Sequence, residues 1–147
     1  NGRRNYNLRN RPHQGMKTKK PSVAKLHRKL WPLVSQWVRL NAAAYGWNEC
    51  FTCGVKKPWK EMQAGHFVSR RFKATIYEEM NIHPQCMACN CFLHGNLLIY
   101  RRIMDNRYGE KEVEELEQRA HQIKKWTVFE LEQMIAEYKA KVSEYNA

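Results

Sequence analysis

From Ser22 onward the apolar residues Val23, Leu26, Leu30, Leu33, Val34, Trp37, Leu40 and Ala44 recur at three- and four-residue spacing. That is the period of a helix burying one face, and Lys25, Arg28, Lys29 and Arg39 fall mostly off it. Pro32 predicts either a kink or a second helix beginning at its own first turn. Tyr45-Gly46-Trp47 closes the segment. The helical period is absent from residues 50–89, where residues 62–69 make the best strand and a return strand is expected near residues 76–82. Helical spacing resumes with Leu93, Leu97, Leu98, Tyr100 and Ile103, stops near Gly109, and continues through Val113, Leu116, Ala120 and Ile123. Thr127 and Glu130 have the spacing of a capping box opening a last helix, whose seam is Val128, Leu131, Ile135, Tyr138, Val142 and Tyr145. A seam this regular pairs with a helix of the same chain or of a second copy, and the first is the expectation.

The pattern predicts an α+β, mostly helical protein. Its expected parts are a basic arm at 1–21, an amphipathic helix at 22–49, a core at 50–109 and a helical extension at 110–147. A chain of 147 residues suits one domain better than two. It starts at Asn1 and not at a Met, leaving room for a segment upstream. No apolar run approaches the length of a membrane helix or a signal peptide, so no membrane partner is expected.

Charge adds a partner. The net charge is +12, and it is unevenly spread. Residues 1–49 hold eleven Lys and Arg against one acid, whereas residues 110–147 hold six against nine. Residues 1–20 carry seven cations, Arg3, Arg4, Arg9, Arg11, Lys17, Lys19 and Lys20, with almost no aliphatics. Such a stretch cannot bury enough surface to fold alone and is expected to contact DNA phosphates. The competing reading of this charge is a solvated basic surface.

Five cysteines include two Cys-x-x-Cys pairs, Cys50/Cys53 and Cys86/Cys89. Two residues between thiolates let both sulfurs face one ion, and two pairs complete a closed tetrahedral zinc site. This pattern suits a reducing compartment better than a disulfide framework. Cys91 falls outside the pattern and reads as a small apolar residue on the following helix. A nucleobase deaminase also uses Cys-x-x-Cys, but it needs His-x-Glu, and here Phe67 and Val68 follow His66. Four thiolates leave no open position for substrate, so the zinc is structural.

The 32 residues between the pairs exceed what a minimal ribbon needs. Strand, strand and then a helix starting around Cys89 would bring His66 opposite Asn90 and His94, four apart on one helix face. A His in such a pocket can activate water near a hard cation.

Cys50-x-x-Cys53, Ala64-Gly65-His66-Phe67, Asn81-Ile82-His83-x-Gln85-Cys86-x-x-Cys89-Asn90, Gly95-Asn96-Leu97, Tyr100-Arg101 and Trp126-Thr127 together resemble the NinG (Rap) recombination nucleases of lambdoid phages. The arrangement is also similar to phage T4 endonuclease VII, a Holliday junction resolvase with two zinc-binding Cys pairs. The resemblance implies a zinc-stapled ββα-metal (HNH-like) endonuclease acting on branched recombination intermediates. It makes His66 the general base, Asn81 the residue positioning the base's loop and Asn90 a ligand of the catalytic ion. The residue before the base is commonly a further metal ligand, whereas here it is Gly65. His94 is the candidate to replace it, ahead of Glu78, Glu79 and His83.

The implied chemistry is hydrolysis assisted by one Mg²⁺ or Mn²⁺, leaving a 5′ phosphate and a 3′ hydroxyl. Arg70, Arg71 and Lys73 follow the base and would neutralise phosphates, unless they form only a solvated loop. Trp31 and Trp37 read as core, His83 as structural, and His13, His27 and His121 receive no role. The alternative function is a non-catalytic zinc module that binds DNA in phage recombination or replication; a sequence-specific HNH restriction enzyme would need a base-reading element that is not identifiable. Expected partners are branched DNA, a second copy of the chain and other phage recombination proteins, in the cytoplasm of a bacterial host.

Overall fold

The computed structural model describes residues 19–146. Ser22 caps the first helix, its hydroxyl accepting from the Lys25 amide at 3.3 Å. That helix, α1 (Val23–Asn41), runs unbroken through Pro32 and buries Leu26, Leu30, Val34, Val38 and Leu40. At the other end of the chain the Thr127 hydroxyl accepts from the Glu130 amide while the Glu130 carboxylate accepts from the Thr127 amide. This box opens α4 (Val128–Asn146), which lays Leu131, Ile135 and Tyr138 against Leu26, Leu30 and Val34. The seam read from the sequence is thus taken up within the chain, by the two helices farthest apart along it.

Between them, β1 (Trp47–Glu49) pairs antiparallel with β2 (Lys56–Pro58). A second ribbon pairs β3 (Gln63–His66) with β4 (Ile82–Gln85), setting Gln63 opposite Gln85, Gly65 opposite His83 and His66 opposite Ile82. One π-helical turn, Ala88–Phe92, then leads to α2 (Leu97–Tyr108) and α3 (Glu110–Ala120), which are separated by Gly109 at φ +91°. A side chain would strain that backbone, so glycine ends the one helix and starts the next. Phe67, Tyr100, Met104, Val113 and Leu116 form a second buried cluster, whereas Ala64 and Ile82 join the α1/α4 cluster. The second ribbon is therefore wedged between two cores.

Several expectations are corrected. The amphipathic helix stops at Asn41, and residues 47–49 of its expected span are strand. The return strand is β4; Ile76 and Tyr77 are buried in turns before it, because Glu79–Asn81 forms one 3₁₀ turn that delays the pairing. The helix expected from Cys89 is interrupted: one π-helical turn spans Ala88–Phe92, and α2 starts only at Leu97 because His94, Gly95 and Asn96 all have positive φ. Cys91 is exposed in the π-helical turn and donates to Gln63 Oε1. Among the described residues no helix is long and apolar enough to cross a membrane.

Leu30 has no exposed surface. Leu30→Ala should cost about 2–5 kcal/mol through lost burial and the cavity left behind, and Thr127→Ala about 1 kcal/mol through the lost cap, both read as shifts in urea midpoint at constant m.

Candidate active site and metal centre

The four paired cysteines converge. Cys50 follows β1, Cys53 stands in the turn before β2, Cys86 follows β4 and Cys89 lies in the π-helical turn after it. Gly54, at φ +76°, returns its amide to the Cys50 carbonyl at 2.9 Å and so folds the first pair around one point. All four sulfurs lie within 4.8 Å of one another, and Cys53 and Cys86 are 3.7 Å apart. Thiolates bound tetrahedrally at about 2.3 Å from one ion stand roughly 3.8 Å apart, so the cluster has the dimensions of a metal centre. Burial works against ionising Cys50, but the amides of Cys53 and Cys86 and the Thr52 hydroxyl hold its thiol down at about 6. These four residues can hold a metal ion, and the soft donor set suits zinc.

Beside this centre β3 carries Gly65 and His66. A carbonyl only accepts, so His66 Nε2–H donates to the Ile76 carbonyl at 2.9 Å and Nδ1 keeps its lone pair. Burial lowers the imidazole to about 4, with the Ile76 hydrogen bond pulling upward and Arg70 pushing further down. The ring is neutral at pH 7. It packs on Trp31, centroid to centroid at 4.9 Å.

The loop that supplies the Ile76 carbonyl is held by Asn81, which is wholly buried. Its Oδ1 accepts from the Val68 amide, and its Nδ2 donates to the Val68 and Thr75 carbonyls at 3.0 and 3.2 Å. The side chain clamps both ends of the loop around the His66 ring. A second chain of bonds holds the backbone of β3 itself. The Tyr100 hydroxyl donates to the Gly65 carbonyl at 2.9 Å, which leaves it to accept from His83 Nδ1; the Tyr108 hydroxyl then donates to His83 Nε2 at 2.7 Å. Burial, with Arg107 nearby, lowers His83 to about 3. It is a neutral internal connector.

His66, Asn90 and His94 line one cavity of about 370 Å³, together with Ser69, Arg70 and Gly95. Asn90 Nδ2 donates to Gln63 Oε1 at 2.7 Å, which fixes the amide and leaves Oδ1 towards Gly65. His94 reaches this cavity from a left-handed backbone position, φ +50°, and not from one helical face shared with Asn90. Of the cations expected on DNA, Arg70, Arg71 and Lys73 are exposed in the loop after β3, and Lys19 and Lys20 are exposed before α1. Arg3, Arg4, Arg9, Arg11 and Lys17 lie outside the described residues. Glu79 binds Lys141, Tyr138 and Trp37, and Glu78 binds Arg119, so neither lines the cavity.

The profile of the family described as Bacteriophage Lambda NinG protein matches residues 3–147. The chain belongs to the NinG family. Proteins named Protein ninG from Escherichia phage 933W and Escherichia phage lambda are 34% and 33% identical to it over 96 residues, 65% of this chain and 47% and 46% of theirs. Protein ninG of Salmonella phage P22 is 33% identical over the same length. The chain thus spans about half the length of the curated relatives it matches. No solved structure matches it.

In this NinG-family chain the residue that sequence reasoning missed is Gln85. Its Nε2 donates to the Thr52 hydroxyl at 3.1 Å and to the Gly95 carbonyl at 2.9 Å, tying the first cysteine pair to the loop that carries His94. Its buried Oε1 has no hydrogen-bond partner among the described residues and lies where a Gly65 side chain would begin. A Cβ on Gly65 would overlap that oxygen and stand 2.8 Å from Gln85 Cδ and 3.0 Å from Asn90 Oδ1. The absence of a ligand before His66 is therefore steric: the Gln85 amide occupies the place. Nothing in the spacing of Gln85 signals this, because it depends on register across the ribbon.

Two outcomes are expected. Gly65→Ala should destabilise by more than about 2 kcal/mol through overpacking, and much less in a Gln85→Ala background, which a double-mutant cycle measures. Elemental analysis should find one zinc per chain, lost together with cooperative unfolding in Cys50→Ser or Cys89→Ser.

Proposed function

We propose that the chain is a metal-dependent DNA endonuclease of phage recombination in which His66 activates the attacking water. The observation that carries this reading is a neutral imidazole whose Nε2–H is committed to a carbonyl and whose cavity is shared with Asn90 and His94. The anchored Nε2–H leaves Nδ1 to take the proton from water as its oxygen attacks phosphorus. The Ile76 carbonyl stabilises the imidazolium so formed, and Arg70 beside it offsets the phosphate charge. Asn81 is a positioning residue, acting through the loop that presents Ile76.

The order β3, β4, π-helical turn, α2, closed at its base by the cysteines, supports a zinc-stapled ββα-metal core. Asn90 and His94 would hold the catalytic ion. Bound there, it would offset the phosphate charge and that of the leaving 3′ oxygen. An amide oxygen and an imidazole without a carboxylate suit Mn²⁺ better than Mg²⁺, which prefers oxygen donors. The products are a 5′ phosphate and a 3′ hydroxyl. Branched recombination intermediates are the proposed substrate class, and symmetric cutting of a four-way junction would take two copies of the chain. The place of action is the cytoplasm of the bacterial host.

His66→Ala should lower cleavage by about 10²- to 10⁴-fold in Mn²⁺ while DNA affinity and melting temperature stay near those of the parent. Asn90→Ala or His94→Ala should lose activity that added Mn²⁺ partly restores. The base works deprotonated, so kcat/KM should fall as pH drops through about 4 and be level between pH 6 and 8. Cleavage by His66→Ala at the parent rate would remove the base from the mechanism. Loss of DNA binding in that variant would favour a non-catalytic zinc module.

A further inference from the structure

A groove of about 1170 Å³ lies between the start of α1, the loop after β3 and the segment before α4. Its floor is apolar and aromatic, formed by Trp31, Ile76, Tyr77 and Trp126. Tyr77 and Trp126 meet edge to face at 5.5 Å, and the Trp126 indole N–H is spent on the Lys73 carbonyl at 2.9 Å. The rim carries six cations, Arg28, Arg70, Arg71, Lys73, Lys124 and Lys125, and among the described residues no carboxylate lines the groove. Among the described residues only Lys124 of these has an ion-pair partner, Glu130. The cations of α2 and α3 differ: Arg101 and Arg119 are held by Asp105, Glu117 and Glu78. Arg70 stacks on Trp31 at 4.3 Å and Lys124 on Trp126 at 4.5 Å, so flat aromatic surface and cationic heads alternate across the opening.

The groove also abuts the candidate active site. Trp31 forms its floor and packs on the His66 ring, and Arg70 lines both cavities. An occupant must therefore present planes to the indoles and negative charge to the rim, and it must be continuous with a phosphodiester at His66. An intact duplex keeps its bases stacked inward and offers only its backbone. A strand that has left its duplex offers both base and phosphate.

We propose that this groove binds unpaired nucleotides of a DNA strand, stacking a base on Trp126 with its phosphates on the rim cations, so that cleavage is directed to places where duplex gives way to single strand. The inference rests on the endonuclease reading, which places a phosphodiester at His66 beside the groove. Base stacking on an aromatic platform is sequence-tolerant, so selection is for strand state and not for sequence.

The test is binding by the full zinc-loaded chain in buffer without added divalent ions, so that nothing is cut. The probes are a fluorescent oligothymidylate, an abasic strand of equal length and charge, and a duplex, followed by anisotropy and tryptophan quenching. The base-bearing strand should bind roughly 5- to 100-fold more tightly than the abasic one and quench tryptophan emission. Trp126→Ala should abolish that margin while leaving abasic and duplex affinity unchanged, and Trp126→Phe should restore most of it. Arg28 and Lys125 are exposed and carry no fold-holding contacts, so Arg28→Glu with Lys125→Glu keeps the test open if the Trp126 variants fold poorly. That pair should weaken single-strand binding and flatten its salt dependence. Equal affinity for base-bearing and abasic strands, or unchanged binding in the charge-reversed pair, overturns the proposal. Because the readout is binding, the groove is tested even if the protein cuts no DNA.

Discussion

Four cysteine sulfurs within 4.8 Å of one another form the constraint from which the rest of the site follows. Four thiolates that close would repel one another, and a bound cation would make their convergence favourable. Bringing the pairs together sets the end of β1 against the end of β4, and the Phe51 amide bonds the Pro84 carbonyl at 2.8 Å. Gln85, directly before Cys86, is thereby locked into position with its amide between Thr52, Gly65 and Gly95. The centre also holds the far side of the cavity, since the Gly95 amide bonds the Cys89 carbonyl and the Asn96 amide nitrogen reaches Cys89 Sγ. A substitution at a thiol would reach His94 through these bonds.

The electrostatics divide cleanly between inside and outside. His66 and His83 are both neutral, at about 4 and about 3, because ionising either against burial would be costly. Every ring nitrogen of His83 is satisfied by tyrosine, so that connector needs no charge to hold β3. Among the described residues Glu78, Glu79 and Glu117 are held in ion pairs, and no carboxylate lines either the groove or the His66 cavity. What remains is a neutral imidazole set in a cationic surface, which attracts anions.

Period and spacing were legible in the chain. The apolar repeats of α1 and α4, the Thr127/Glu130 cap, the stop at Gly109 and the two cysteine pairs are local patterns, and local patterns are written in neighbouring residues. His66, Asn81 and Asn90 could be named from the motifs around them. What only the tertiary structure decided is how they meet. Strand register places Gln85 over Gly65, and three consecutive left-handed residues replace the expected first turns of α2. Trp31, expected as core, is shared between the core, His66 and the groove because α1 crosses the ribbon at that point. Register, backbone handedness in a loop and helix crossing depend on contacts between residues far apart in sequence, so no spacing along the chain encodes them.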